Sequence, residues 1–556
     1  MRRCAVLAFA LLLLLLLLVV TPDQALAHGL GQSQNLPLPF WLYLFAAAAV
    51  VLISFFQIGL LVGPQHALTR YPRIDLFGIR SLRTVLTSRP LLVGLRVLSV
   101  ALFLVVILSG LLGQQAPSSN FAPTFVWIIW WVGLSFFTAY VGNIWPLINP
   151  WTILFEWAEG LARRLGVRKG LYVAAPYPVS WGVWPALALF AVFVWIENDF
   201  EGSATPIYIA LFTILYSTFA WSSMVLFGKE TWLQRGEPFS VYFGILAKFA
   251  PTEVRVINPQ ICRACGVEQT AITEAGCVNC YECFARAAPE DRELNLRPPA
   301  VGLSLAERVT PDRLVFVVFM LASVTYDSLL GTPPWVELQR LTLMPQILGF
   351  IAVPLFFLAV YLGLVKLSQL LSEGYIAFGQ LAAAYVYSLV PIAIAYQVAH
   401  YYTLLLIQGQ AIVALFSDPL SWGWDLFGTA DYKIDPALIG ADSVWYSQVA
   451  IMVAGHVVAV YLGHLASLRL VWIEVWSPWL QTKIQYPMLV LMILYTVFSL
   501  WILSQPIVEQ RKNEAKPAES VAQPAPTEET PGEWSGPLPK APMPQPSIPP
   551  SIPESP

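Results

Sequence analysis

Five cysteines between positions 262 and 283 carry the clearest chemical signal in the chain. Cys262, Cys265, Cys277, Cys280 and Cys283 follow the spacing C-x2-C-x11-C-x2-C-x2-C. Two C-x2-C knuckles let four thiolates converge on one ion at tetrahedral geometry. Structural zinc fits Cys262, Cys265, Cys277 and either Cys280 or Cys283. The run Cys277-x2-Cys280-x2-Cys283 also matches part of an iron–sulfur signature. The last cysteine of that signature would fall at Ala287, so another cysteine would have to serve. Zinc would be a folding staple, whereas iron would open electron transfer. The sixth cysteine, Cys4, lies in the N-terminal apolar leader.

Histidine is scarce. His28, His66, His400, His456 and His464 are the complete set, and three fall in the last apolar runs. Ionisable groups at membrane depth are costly and by default mark function. At 1.5 Å per residue, His400 lies about 10 Å and His456 about 15 Å below the outer edge of their runs. Asp327 lies about 9–10 Å below the outer end of its own run. Acid–base or metal-ligating side chains of three helices thus share one layer, and they are expected to converge. His464 sits nearer the inner edge and reads as structural. His28 would become the mature N-terminus after leader cleavage, where amine and ring nitrogen together chelate copper(II) well.

The elements that must position these residues follow from composition. Hydrophobic residues make up 57% of the 556 and charged residues only 12%. So few charges cannot coat several soluble cores, and the mean hydropathy of +0.64 points to a polytopic membrane protein. A net charge of −3 gives no reason to expect nucleic acid. Ten apolar runs can cross a hydrocarbon core of about 30 Å. They lie near 40–63, 91–113, 125–145, 179–197, 206–227, 314–333, 345–366, 380–407, 446–468 and 487–505. Only helices satisfy their backbone alone in lipid. The fold class is therefore all-α, a transmembrane helix bundle of about ten spans.

Basic residues orient it. Arg70, Arg73, Arg80, Arg83 and Arg89 fill the loop 64–90, and Arg163, Arg164, Arg168 and Lys169 fall in 146–178. The loop 114–124 has no Lys or Arg, and 198–205 follows Glu197 and holds Asp199 and Glu201. Positive loops stay inside, so both termini are expected outside and the cysteine loop in the cytoplasm. A reducing compartment argues against disulfides there. The loop 417–445 is outside and acidic. Arg96 is expected to snorkel to the inner surface.

The ends differ from the body. Arg2 and Arg3, the apolar run Ala5–Val20 and Ala25-Leu26-Ala27 read as a signal peptide. From Arg511 the chain holds 13 of its 44 prolines and reads as a disordered tail. The organisation is signal peptide 1–27, spans one to five in 28–227, a cytoplasmic cysteine loop in 228–313, spans six to ten in 314–510, and the tail 511–556. The bilayer is one partner. The tail or the cysteine loop is a place where a protein partner would bind.

A set of stretches resembles a bacterial membrane-protein family whose members carry the name fenitrothion hydrolase. It comprises Ala27-His28-Gly29-Leu30, Leu36-Pro37-Leu38-Pro39, Gly142-Asn143-Ile144-Trp145, Asn149-Pro150-Trp151, Arg235-Gly236-Glu237 and Phe239–Phe243. It continues with Val324-Thr325-Tyr326-Asp327, Ala399-His400-Tyr401, Gln408-Gly409-Gln410, Trp424–Ala430 and Gly455-His456. The resemblance implies a multi-pass protein of the bacterial plasma membrane that hydrolyses a lipophilic, organophosphate-type ester. On that reading His400, His456 and Asp327 would be catalytic, holding a divalent metal that polarises a phosphoryl oxygen and activates water. Two alternatives stay open. One is a redox or metal-handling subunit, with His400 and His456 binding haem or copper. The other is an ion- or proton-coupled transporter.

Overall fold

Where water is absent, each helix must bury its polar side chains against another helix, and that requirement arranges the bundle. The computed structural model describes residues 38–63, 71–166, 171, 173, 175–264, 272–273, 276–304, 309–342, 346–474 and 478–505. The expected signal peptide and tail, His28, His66 and Cys265 lie outside the described residues.

Ten helices among the described residues are long and apolar enough to cross a membrane: Phe40–Leu61, Arg80–Leu112, Phe121–Tyr140, Val179–Asn198, Pro206–Phe227, Pro311–Leu330, Gln346–Leu371, Phe378–Ser417, Ala441–Val471 and Trp479–Leu503. They are the first to tenth spans, and the polytopic all-α reading holds. The sixth and eighth are the most enclosed, with 78% and 83% of their most apolar stretch buried. They therefore form the centre, and they carry Asp327 and His400. The third span is π-helical over Thr124–Gly133, a widening often found near functional sites. The eighth runs ten residues beyond the expected Ile407, through 3-10 turns at Tyr387–Leu389 and Gln408–Gln410.

Small residues set the closest approach. A Cβ on Gly455 would lie 2.3 Å from the Ala395 Cβ and 2.9 Å from the Pro391 carbonyl oxygen, so the eighth and ninth spans meet through it.

The stretch 228–313 is not all loop, which corrects the expected boundary. After Lys229–Arg235 runs back beside the fifth span, Glu237 caps the helix Pro238–Leu246, accepting from Phe239 N at 3.2 Å and Ser240 N at 2.6 Å. The same carboxylate accepts from Tyr216, midway along the fifth span, at 2.9 Å and from the Trp145 indole at 3.4 Å. A second short helix, Pro150–Arg164, begins within the bundle in the same way. Its cap Asn149 accepts from Thr152 N, and Trp151 donates to Ser217 of the fifth span. Both helices place Pro in the first turn, where its missing N–H costs nothing. The length rule passes over them because each is too short to span.

Arg96 does not snorkel free. It pairs with Glu156 of the second short helix, which Lys229 also holds at 2.9 Å. Burial opposes ionisation of Glu156, but Lys229 and Arg96 outweigh it and hold the carboxyl below its usual range.

The remainder, 251–304, joins residues 74–75 in a small antiparallel sheet that the all-α reading lacked. Its strands are β1 Ile74–Asp75, β2 Thr252–Val256, β3 Ile272–Thr273, β4 Gly276–Val278 and β5 Arg292–Leu296, in the order β1-β5-β2-β4-β3. Glu253 is fully buried beneath it. Arg297 Nη1 lies 2.6 Å from one carboxylate oxygen, Arg73 Nε 2.6 Å from the other, and the Tyr71 hydroxyl donates at 2.7 Å. Arg297 also donates to the carbonyls of Ala247 and Ala250, tying the sheet to the end of the re-entrant helix Pro238–Leu246.

Two outcomes follow. Gly455→Val should force the eighth and ninth spans apart at a cost of about 1–3 kcal/mol, read as a lower thermal midpoint of the detergent-purified protein. Arg297→Ala should leave the buried Glu253 with only Arg73 and Tyr71 and cost about 3 kcal/mol, read as faster proteolysis within 251–304.

Candidate functional site

Asp327 stands on the buried face of the sixth span, with Ser323 and Val324 one turn before it. On the eighth span, Gln397 and Tyr401 are one turn apart and share a face. On the fourth span, Phe190, Val194, Glu197 and Asn198 form a stripe at helical spacing. Those stripes, with Trp131 of the π-helical third span, Tyr242 of the re-entrant helix and Met320, line one narrow cavity. Its free volume of about 20 Å³ admits a water molecule or two.

The geometry centres on one oxygen. His400 Nε2 lies 2.9 Å from Asp327 Oδ2, and the Tyr401 hydroxyl donates to the same oxygen at 2.5 Å. The His400 and Asp327 side chains are 23% and 22% exposed, so the pair sits at the rim of the buried region and not deep within it. The two rings on the eighth span meet edge to face, 4.5 Å apart. Inside the cavity, the Tyr242 hydroxyl donates to Gln397 Oε1 at 2.8 Å. Glu197 occupies the same cavity beside the Trp131 indole and within electrostatic reach of Asp327.

His456 does not join this group, which corrects the expected convergence. Its ring is wholly buried, with Nδ1 2.8 Å from the Met452 carbonyl oxygen of its own helix. Nε2 has no hydrogen-bond partner, and the ring packs 5.9 Å from that of Tyr495 on the tenth span. Sequence gives the height of a residue along its helix. The direction it faces depends on which helices pack beside it, and here Tyr495 lies on one side and Asp327 on another. His400, Asp327 and His456 are therefore not gathered as a three-ligand metal set. His464 is structural as expected, bridging Gln485 Oε1 at 3.1 Å and the Val62 carbonyl at 3.0 Å.

Glu197, Gln397, Tyr401 and Tyr242 are the site residues that sequence reasoning missed. Glu197 reads as a loop-edge acid, although the spacing Phe190, Val194, Glu197, Asn198 marks it as part of an inward stripe. The acidic loop between the eighth and ninth spans does not gather its charge at the mouth. Asp418 accepts from Trp422 N and Gly423 N, Asp425 from Ala430 N, and Asp435 from Ala437 N, so these carboxylates build turns.

Among the described residues, the one group of three with metal-ligand spacing is Cys262, Cys277 and Cys283, all buried, with sulfurs within 4.8 Å of one another. Cys262 and Cys277 are joined as a disulfide, contrary to the expectation of free thiols. Spacing alone does not foresee that the β2–β4 pairing brings these two backbones to a Cα separation of 6.0 Å. Cys280 Sγ lies 3.1 Å from Cys283 Sγ.

No protein-family model, curated protein or solved structure matches the chain.

The contrast between the two histidines is testable on folding alone. Asp327→Leu strands the Tyr401 hydroxyl and should cost about 1–3 kcal/mol, whereas His456→Leu removes a ring that is only half satisfied and should stay within about 1 kcal/mol of the parent. Thermal midpoints of the two variants check this.

Proposed function

We propose that this integral membrane protein relays protons through a buried acid–base cluster, as part of a proton-coupled transport function. The observation that carries the reading is the double contact on Asp327 Oδ2, from His400 Nε2 and Tyr401, beside a water-sized cavity that also holds Glu197. Histidine, carboxylate, phenol and water exchange protons without large movement when they share hydrogen bonds. Glu197 gives a proton to cavity water, Tyr401 hands one on, and Asp327 with His400 delivers it toward the rim. One histidine and one carboxylate leave a metal's coordination largely unfilled. A cavity of this size admits water and not an organic ester.

The apolar helices contact the bilayer. Following the Lys and Arg asymmetry, we place the basic loops and the sheet of 251–304 in the cytoplasm and the rim of the cluster outside.

Proton entry into liposomes containing the purified protein, followed with an internal pH dye under an imposed potential, tests the reading. The parent should exceed protein-free vesicles, and Asp327→Asn and Glu197→Gln should each slow entry about tenfold or more, a barrier rise of about 1.4 kcal/mol. His456→Leu should not change it. Equal rates in parent, variants and empty vesicles would sink the proposal.

The resemblance supports a second reading, because the stretches Val324–Asp327 and Ala399–Tyr401 contain the cluster itself. That reading is metal-assisted hydrolysis of a lipophilic organophosphate-type ester. Turnover of such an ester that requires a divalent ion and disappears in His400→Ala would favour it over the relay.

A further inference from the structure

The cysteine unit lies apart from the proton cluster and needs its own account. Cys262 lies on the short helix Pro259–Ala264 that follows β2, and Cys277 on β4 beside it. Cys283 lies on the helix Tyr281–Arg286, and Cys280 caps that helix. Asn279 turns the chain between Cys277 and Cys280 at φ 54°, donating its N–H to the Val254 carbonyl at 2.8 Å while its side chain accepts from Val254 N at 3.2 Å. β2 thus holds the Cys277–Cys280 turn in place from both sides. Cys262, Cys277, Cys283, Val256 and Ala287 form a small buried cluster separate from the membrane core.

We propose that Cys262, Cys277, Cys280 and Cys283 hold one tetrahedral soft divalent ion of the zinc class. A tetrahedral ion with bonds of about 2.3 Å spaces its thiolates about 3.8 Å apart. Three of these sulfurs already lie within 4.8 Å of one another, and the fourth is 3.1 Å from Cys283. An iron–sulfur cluster spreads its thiolates around a larger inorganic core. The unit has little else to fold around: β3 and β4 are two and three residues long, and the buried cluster is small. Metal binding supplies the folding free energy that so small a core lacks.

The chemistry balances through the disulfide. A thiol reductant delivers two electrons and two protons to the Cys262–Cys277 bond and is itself oxidised to a disulfide. The four thiols then lose four protons as they bind the divalent ion. Oxidation reverses the exchange and releases the ion.

The ion also steadies part of the membrane half. Tyr281, between Cys280 and Cys283, hydrogen-bonds the Asn143 side chain. Asn143 Oδ1 accepts from Trp145 N at 3.1 Å, and the Trp145 indole donates to Glu237. The ligand loop therefore bears on the residues that cap the re-entrant helix.

Full-length protein purified anaerobically with a phosphine reductant should contain one zinc-class ion per chain by elemental analysis. Cys277→Ser and Cys283→Ser should each lose most of it. If the serine variants fail to fold, parent protein stripped by a chelator and reloaded with cobalt(II) should show the thiolate-to-metal absorption of a tetrahedral site. Metal-free reduced parent with four alkylatable thiols at these positions overturns the proposal. So does inorganic sulfide with iron, or an ion that survives both Cys277→Ser and Cys283→Ser.

Discussion

A single carboxylate oxygen, Oδ2 of Asp327, constrains the centre of the bundle. A partly buried carboxylate is unfavourable unless donors replace the water it loses. Two donors reach it, from consecutive residues of the eighth span. Consecutive residues diverge by about 100° on a straight helix, so both reach one atom only when the sixth span lies against the face between them. The sixth and eighth spans are accordingly the most enclosed, and the ninth is drawn onto the eighth through the bare backbone of Gly455. Packing and polar satisfaction are one requirement here, since a shift that relieves Gly455 would also move His400 relative to Asp327.

Much of this was legible in the sequence and some was not, for identifiable reasons. Span number, approximate limits and the depth of Asp327 and His400 follow from apolar length and helical rise. Shared height groups Asp327, His400 and His456, whereas contact joins only the first two. Depth is one coordinate, and the azimuth of His456 is set by Tyr495, some forty residues away in sequence. Glu197 was hidden for a different reason. It lies two residues before Asp199 at the end of an apolar run, where composition cannot distinguish an inward acid from a loop. The short helices Pro150–Arg164 and Pro238–Leu246 escape a rule that counts twenty apolar residues, although Asn149-Pro150 and Glu237-Pro238 are both helix-start signals. The small sheet escaped because its strands are two to five residues long and β1 comes from a different loop.

Aromatic side chains occupy the space between the cavity and the re-entrant helix. Trp131, which lines the cavity, packs on Phe193 with ring centroids 4.8 Å apart, and Phe193 packs on Phe239 at 5.1 Å. Phe239 meets Trp130 at 4.8 Å and follows Glu237 by two residues. Ring edges on ring faces make such a layer cohesive and exclude water from it. Half-buried Glu197 and fully buried Glu237 are thus joined by a chain of packed rings. The first faces a water-sized cavity. The second is consumed in capping a helix and receiving Tyr216 and Trp145.

That separation bears on how a relay would be gated. In the relay proposed above, protons pass between Glu197 and Asp327 by way of the cavity and Tyr401. Phe239 is carried by the helix that Glu237 caps, and that cap depends on Trp145, which is held by Asn143 and, through it, by Tyr281. The ring that closes the layer is therefore fixed from the side of the cysteine unit, while the acids it screens are fixed from the sixth and eighth spans. The Trp145–Glu237 contact, at 3.4 Å, is the longest of the hydrogen bonds to that carboxylate and so the weakest of them.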